Sequence, residues 1–257
     1  MARSPLAILG KAVAHYLSRP DPRYQPVTTC LPDALAAALK PGDVLLVEGN
    51  TRFSKAIKFL TQSTWSHSAL YIGSGAGLRD ESGEPAVLIE ADIERGVIAV
   101  PLNKYATMHT RICRPIGLTP EDVEGVIAAA VLRIGHTYDL KNVLDLVRYL
   151  LPQPPVPVRW RRRMLSLGSG EPTKAICSTL IAQIFEAVRY PVLPVIKAEA
   201  IPGVDQTACT NCTRDVFHIR HHSLYAPRDF DLSPYFRVVK PTIEQGFDYK
   251  QLAWAAR

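Results

Sequence analysis

KAICSTLIAQIF, residues 174–185, sets one cysteine, Cys177, just ahead of an apolar run with helical spacing. A helix over about 177–188 is predicted. Its place in the chain decides the fold class. The segment from 41 to 116 reads as short apolar strands broken by turn residues: DVLLVEG (43–49), HSALYIG (67–73), AVLIEAD (86–92), GVIAVPL (96–102) and TRICRPI (110–116). A short helix, SKAIKFLTQS (54–63), interrupts them. From residue 119 the chain turns helical. TPEDVEGVIAAAVLRIG opens with Thr119 as cap, Pro120 at the first helical position and Asp122 closing a capping box, and Gly135 stops it. LKNVLDLVRYLL (140–151) is a second helix, and SPYFRVVKP (233–241) reads as a last strand. Strands first and helices after them give an α+β class with a mostly antiparallel sheet followed by the cysteine-bearing helix.

The 257 residues suffice for a sizeable core, and 47 % apolar with 21 % charged content excludes a globally disordered chain. The formal charge of +6 fits contact with anionic surfaces or acidic substrates without choosing among them. Five cysteines, an odd count in a long chain, argue against a disulfide scaffold and for a reducing, cytoplasmic setting. No run reaches the roughly 20 apolar residues of a membrane span. The opening MARSPLAILGKAVAHYLSRP lacks a small-residue cleavage site and reads as a helix capped by Ser4 with Pro5 at its start. Leu6, Leu9, Val13 and Leu17 share one face, suited to docking on the domain or to peripheral membrane contact. The expected organisation is an N-terminal helix and linker (1–30), then one domain (31–257). That domain carries a basic proline-rich loop at 152–173, with Arg159, Arg161, Arg162 and Arg163 around Trp160, and an insertion at 190–232.

Three residues form a chemical constellation. A cysteine at a helix start sits by the positive dipole end and free backbone N–H groups, which favour the thiolate and can hold an oxyanion. His67, between two serines at a strand start, can act as a base. Glu90 ends an apolar triplet, and a carboxylate buried there needs a partner. If its strand lies beside that of His67, it orients the imidazole.

In this order, histidine, acid, cysteine, the chain resembles the circularly permuted branch of the NlpC-type papain-like cysteine hydrolases, the YiiX/YebB-like amidases, and more distantly the lecithin:retinol acyltransferase-like proteins. The matching pieces are PGDVLLVEG (41–49), STWSHSALYIG (63–73), LIEAD (88–92), GHTYDL (135–140) and ICSTLIAQIF (176–185). The resemblance implies a permuted papain-like fold with Cys177 as nucleophile, His67 as base and Glu90 as orienter. Tyr138, in the matched GHTYDL, is expected to bind substrate or to pack with its hydroxyl satisfied; Trp65 and Ser178 are expected to bind substrate. The acyltransferase relatives carry an N-C-E-H signature where this chain has Ile-Cys-Ser-Thr.

CTNC (209–212) followed by His218, His221 and His222 has metal-ligand residue types, but the gap between the pairs is shorter than in common zinc sites. No metal is assigned, and no cofactor is called for. Nothing suggests nucleic-acid binding. The leading expectation is a thiol hydrolase cleaving an amide, ester or thioester bond in a small amide-, peptide- or acyl-containing substrate through an acyl-enzyme. Acyl transfer on the same triad is the alternative, and others are a non-catalytic binding module or a metal-stabilised interaction protein.

Overall fold

Val44–Val47, β1, is four apolar residues in a row, all of them buried. Such a run belongs to a strand covered on both faces. In the computed structural model, which describes residues 15–22, 24, 27–28, 30–136, 176–201, 213–220, 225–251 and 253, β1 lies inside a six-stranded sheet. It pairs with β2 (His67–Tyr71) on one side and β5 (Thr110–Pro115) on the other. β3 (Leu88–Asp92) and β4 (Gly96–Val100) extend the sheet beyond β2, and a late strand, Phe236–Val239, closes it beside β5. Every pairing is antiparallel.

The alternation of strand side chains divides the core in two. Leu46, Leu70 and Cys113 face one layer of helices; Leu45, Val47, Ala69 and Ile112 face the other side. The first face is covered by α3 (Pro120–Val131) and by α4 (Ile176–Ala187), whose Leu180, Ile181, Ile184 and Phe185 are all buried. α4 lies across β2 and β3 and against α3. The second face is covered by α1 (Pro32–Ala38) through Leu35, with Leu39 just beyond it. Between β1 and β2 stands α2 (Arg52–Thr61), capped by Thr51.

The strand and helix positions expected from sequence match these elements to within a few residues. The Thr119–Asp122 capping box is formed in both directions; the helix ends at Val131, ahead of Gly135, which takes a positive φ of 85° in the turns that follow. α4 starts at Ile176, so Cys177 sits in its first turn.

Other elements were not anticipated. α1 is one. Another lies in the 190–232 segment, where β6 (Val195–Ala200) and β7 (Thr213–His218) form a separate antiparallel ribbon, with Ile196 opposite Phe217. Its residues are largely exposed, so no burial alternation marks it. A short helix, α5 (Arg228–Leu232), precedes the last strand, β8. The N-terminal helix before residue 15, the helix at 140–151, the arginine-rich loop, Tyr138, Cys209, Cys212, His221 and His222 lie outside the described residues.

The turn after β1 depends on a missing side chain. Gly49 donates its N–H to Ser66 Oγ at 2.9 Å. A Cβ on it would collide with Ser54 Oγ and come within 2.9 Å of Ser54 Cβ and 3.0 Å of Ser66 Oγ. Gly49→Ala is expected to lower stability by about 1–3 kcal/mol. Urea unfolding of the two proteins, with equal slopes, measures it.

Candidate active site

The site forms where β2 and β3 part. Their paired positions are Leu70 with Ile89 and Tyr71 with Leu88. Continuing that register would set Ser68 against Ala91 and His67 against Asp92, but the ladder stops before them. The first turn of α4 packs at this opening and brings Cys177 to it, 4 % exposed. His67 therefore starts β2 beside a gap rather than inside a closed ladder.

Glu90 stands at the middle of β3 and is 1 % exposed. The cost of burying its charge is offset by three donors. His67 Nε2 lies 3.0 Å from Glu90 Oε2. Tyr105 donates its hydroxyl to Oε2 and Lys104 donates its ammonium to Oε1. Both come from a 3-10 turn, Leu102–Tyr105, that follows β4. With Nε2 committed to the carboxylate, Nδ1 is the ring nitrogen left to face the Cys177 sulfur, which borders the same cleft.

Charge pairing prevails over burial at all three positions. Burial by itself pushes the Glu90 carboxyl up, yet His67 and then Lys104 hold it down at about 2. Burial favours a neutral His67 ring, but the Cys177 sulfur and Glu90 together raise it to about 10. Burial likewise raises the Cys177 thiol, and His67, the Ser68 hydroxyl and the Ser68 N–H bring it below its ordinary value. The resting state that these directions favour is a thiolate beside an imidazolium, backed by a carboxylate.

The group opens into a cleft of about 260 Å³. Phe53, Ile93 and Met108 give it apolar walls, and Ser18, Asn50 and Thr51 edge it. Ser18 belongs to the N-terminal segment, which Leu17 pins into the core.

The structure thus brings Cys177, His67 and Glu90 together. It does not bring Trp65 or Ser178 to the cleft, against the expectation that they bind substrate. Trp65 is buried, with its indole N–H on Asp231 Oδ2 at 3.1 Å and Arg111 stacked on its ring. Ser178 is turned about 100° round the helix from Cys177 and donates to the Tyr225 carbonyl at 2.8 Å. Both fasten the site to the C-terminal segment. Lys104 and Tyr105 were missed. A buried Glu90 implied some partner, but nothing in LNKY names it. Cys113, on β5, is a buried thiol that burial pushes up. His218 pairs with Glu199 at 2.8 Å, and no cluster able to hold a metal occurs among the described residues.

An acid-backed histidine facing a helix-start cysteine beside an antiparallel sheet is consistent with the resemblance to papain-like hydrolases read from the residues. Residues 38–149 match the family described as permuted papain-like amidases of the YaeF/YiiX type, the C92 family. The resemblance read from the residues is to this family, and the fold is its permuted papain-like α+β fold, with hydrolase activity as the family's general chemistry. The matched segment contains His67 and Glu90; Cys177 lies beyond it. Among solved structures, that of metalloprotein yiiX from Escherichia coli O157:H7 is similar at 16 % identity and a TM-score of 0.41, covering 84 % of this chain and 98 % of that one. No curated protein matches.

The shifted groups make stability depend on pH with a definite sign. Glu90 titrates lower in the folded protein than its ordinary 4.5, so its contribution is complete above that value and is lost as pH falls toward about 2. His67 is raised from 6.5, so its contribution is complete below 6.5 and is lost as pH rises through about 10. Glu90→Gln removes the Glu90 shift and the part of the His67 shift that Glu90 causes, and leaves the part caused by Cys177. The gap in urea midpoint between wild type and Glu90→Gln should be widest near pH 5 to 6 and narrow on either side. A gap independent of pH would contradict the ion pair.

Proposed function

We propose that this protein is a thiol-dependent amidase that works through an acyl-enzyme on Cys177. The observation that supports it most is the position of His67, held between a buried carboxylate and a buried sulfur, with the histidine and thiol pKa values displaced toward each other's charged forms. That is the pairing a nucleophile and its general acid–base need at neutral pH.

In this reading the Cys177 thiolate attacks the carbonyl carbon. The oxyanion rests on backbone N–H groups of the first turn of α4. The His67 imidazolium passes its Nδ1 proton to the leaving nitrogen, the C–N bond breaks, and a thioester with a neutral imidazole remains. Water then enters. His67 takes its proton, hydroxide adds to the thioester, and the acid leaves with the thiolate and imidazolium restored. Glu90 keeps the ring in place through Nε2, and Tyr105 and Lys104 keep Glu90 in place.

The cleft of about 260 Å³ suits a small acyl group or one side chain, and its apolar walls favour an uncharged one. Small amide-, peptide- or acyl-containing compounds are therefore the proposed substrates. The free thiols Cys30, Cys113 and Cys177 fit a reducing setting, and the proposed location is the cytoplasm, with the basic chain suited to contact with anionic membranes. No helix of the described residues is long and apolar enough to cross one.

The test is the pH dependence of Cys177 alkylation by iodoacetamide, mapped by mass spectrometry. Wild type should label rapidly at pH 7 and below. His67→Ala should lose that fast phase and rise only near the ordinary thiol pKa of about 8.5. Glu90→Gln should fall between them. A wild-type profile with its midpoint near 8.5, unchanged in both variants, would remove the base from the mechanism. Mass analysis of a turned-over substrate with and without an added amine separates hydrolysis from acyl transfer.

A further inference from the structure

Ser68 follows His67 on β2, and the mechanism above gives it no part. The strand's period of two turns its side chain to the face of Leu46 and Leu70, which α4 covers. It is 0 % exposed, and its Oγ makes no hydrogen bond of ordinary geometry. A hydroxyl buried without an acceptor is costly, so its retention calls for a reason. Its backbone points the same way. The N–H of Ile72 donates to the Val87 carbonyl of the chain leading into β3. Alternation then aims the N–H of Ser68 toward β3 as well, and there the ladder has stopped. What packs at the opening is the first turn of α4 with Cys177, and the Ser68 hydroxyl and N–H are among the groups that lower its thiol pKa.

We propose that Ser68 is a thiolate-holding residue, whose hydroxyl and backbone N–H donate to the ionised sulfur of Cys177 and lose that acceptor when the sulfur is protonated or acylated. This rests on Cys177 being the nucleophile. The titratable groups around the sulfur are His67 on β2, Glu90 and Asp92 on β3 and Tyr105 with Lys104 on the 3-10 turn, and the variants below keep all of them. Ser68 does not border the cleft, so it acts on the nucleophile and not on substrate affinity.

The experiment measures the iodoacetamide rate at Cys177 against pH in wild type, Ser68→Ala, Ser68→Thr and Thr179→Val. Thr179 Oγ1 is the other orphaned buried side-chain atom among the described residues and serves as control. Thermal melting checks that each variant is folded. A hydrogen bond to an ionised group is strong enough that Ser68→Ala should raise the midpoint by about one pH unit. Ser68→Thr, which keeps the hydroxyl, and Thr179→Val should titrate with the wild type. A low wild-type midpoint unmoved by Ser68→Ala overturns this proposal and leaves the amidase reading standing. An ordinary wild-type midpoint overturns both. Equal upward shifts in Ser68→Ala and Thr179→Val would mean a general loosening of the core and would also overturn it.

Discussion

The Glu90 carboxylate is the constraint around which the site is arranged. It is almost fully buried, and a lone charge there would cost more than a domain of this size can spare. Its three donors come from the start of β2 and from the turn after β4, so satisfying one side chain fixes the relation of three neighbouring elements. The histidine ring that results can point its other nitrogen only toward the gap at the end of β2 and β3. α4 then needs only to lay its first turn across that gap for a sulfur to meet a ring nitrogen.

The sheet supplies rigidity for this. β1 is buried on both faces and paired on both edges, and β2 is held to it along four consecutive positions from His67 to Leu70. The base is thus set at the end of the best-anchored strand pair, while the flanking pair β2–β3 comes apart. Closure on one side and opening on the other make room for a nucleophile without loosening the base. The C-terminal segment ties the remaining ends. Asp231 receives the indole N–H of Trp65 two residues before the histidine, and the Tyr225 carbonyl receives Ser178 one residue after the cysteine.

Much of this was legible in the sequence, for reasons that differ by residue. The apolar strands, the Thr119 capping box and the α4 run are local signals, and each formed near its expected place. Cys177 and His67 could be singled out by their places at a helix start and a strand start, and Glu90 because it ends an apolar triplet. The partners could not. Lys104 and Tyr105 reach Glu90 only through the bend after β4, and no residue type in LNKY announces that. Ser178 and Trp65 were expected to bind substrate, but one helical step turns Ser178 into the core and Trp65 packs ahead of the strand. The β6–β7 ribbon escaped notice because it is exposed and its strands pair mainly with each other. The stop in the β2–β3 ladder is a property of two strands and a helix together, and no single stretch encodes it.

The row of charged groups, read from the opening inward, has a further consequence. Sulfur, imidazole, carboxylate and ammonium carry alternating signs that sum to zero in the resting state. In the proposed cycle acylation removes the thiolate and the imidazolium in the same step, and what remains, Glu90 with Lys104, is again neutral. Deacylation restores both together. When the oxyanion forms it takes over the charge of the sulfur and faces the same imidazolium, so the row keeps zero net charge throughout, and a centre balanced in this way exerts little long-range pull on a charged substrate. Choosing among charged molecules falls to the surface, where the excess of six positive charges lies outside the catalytic row.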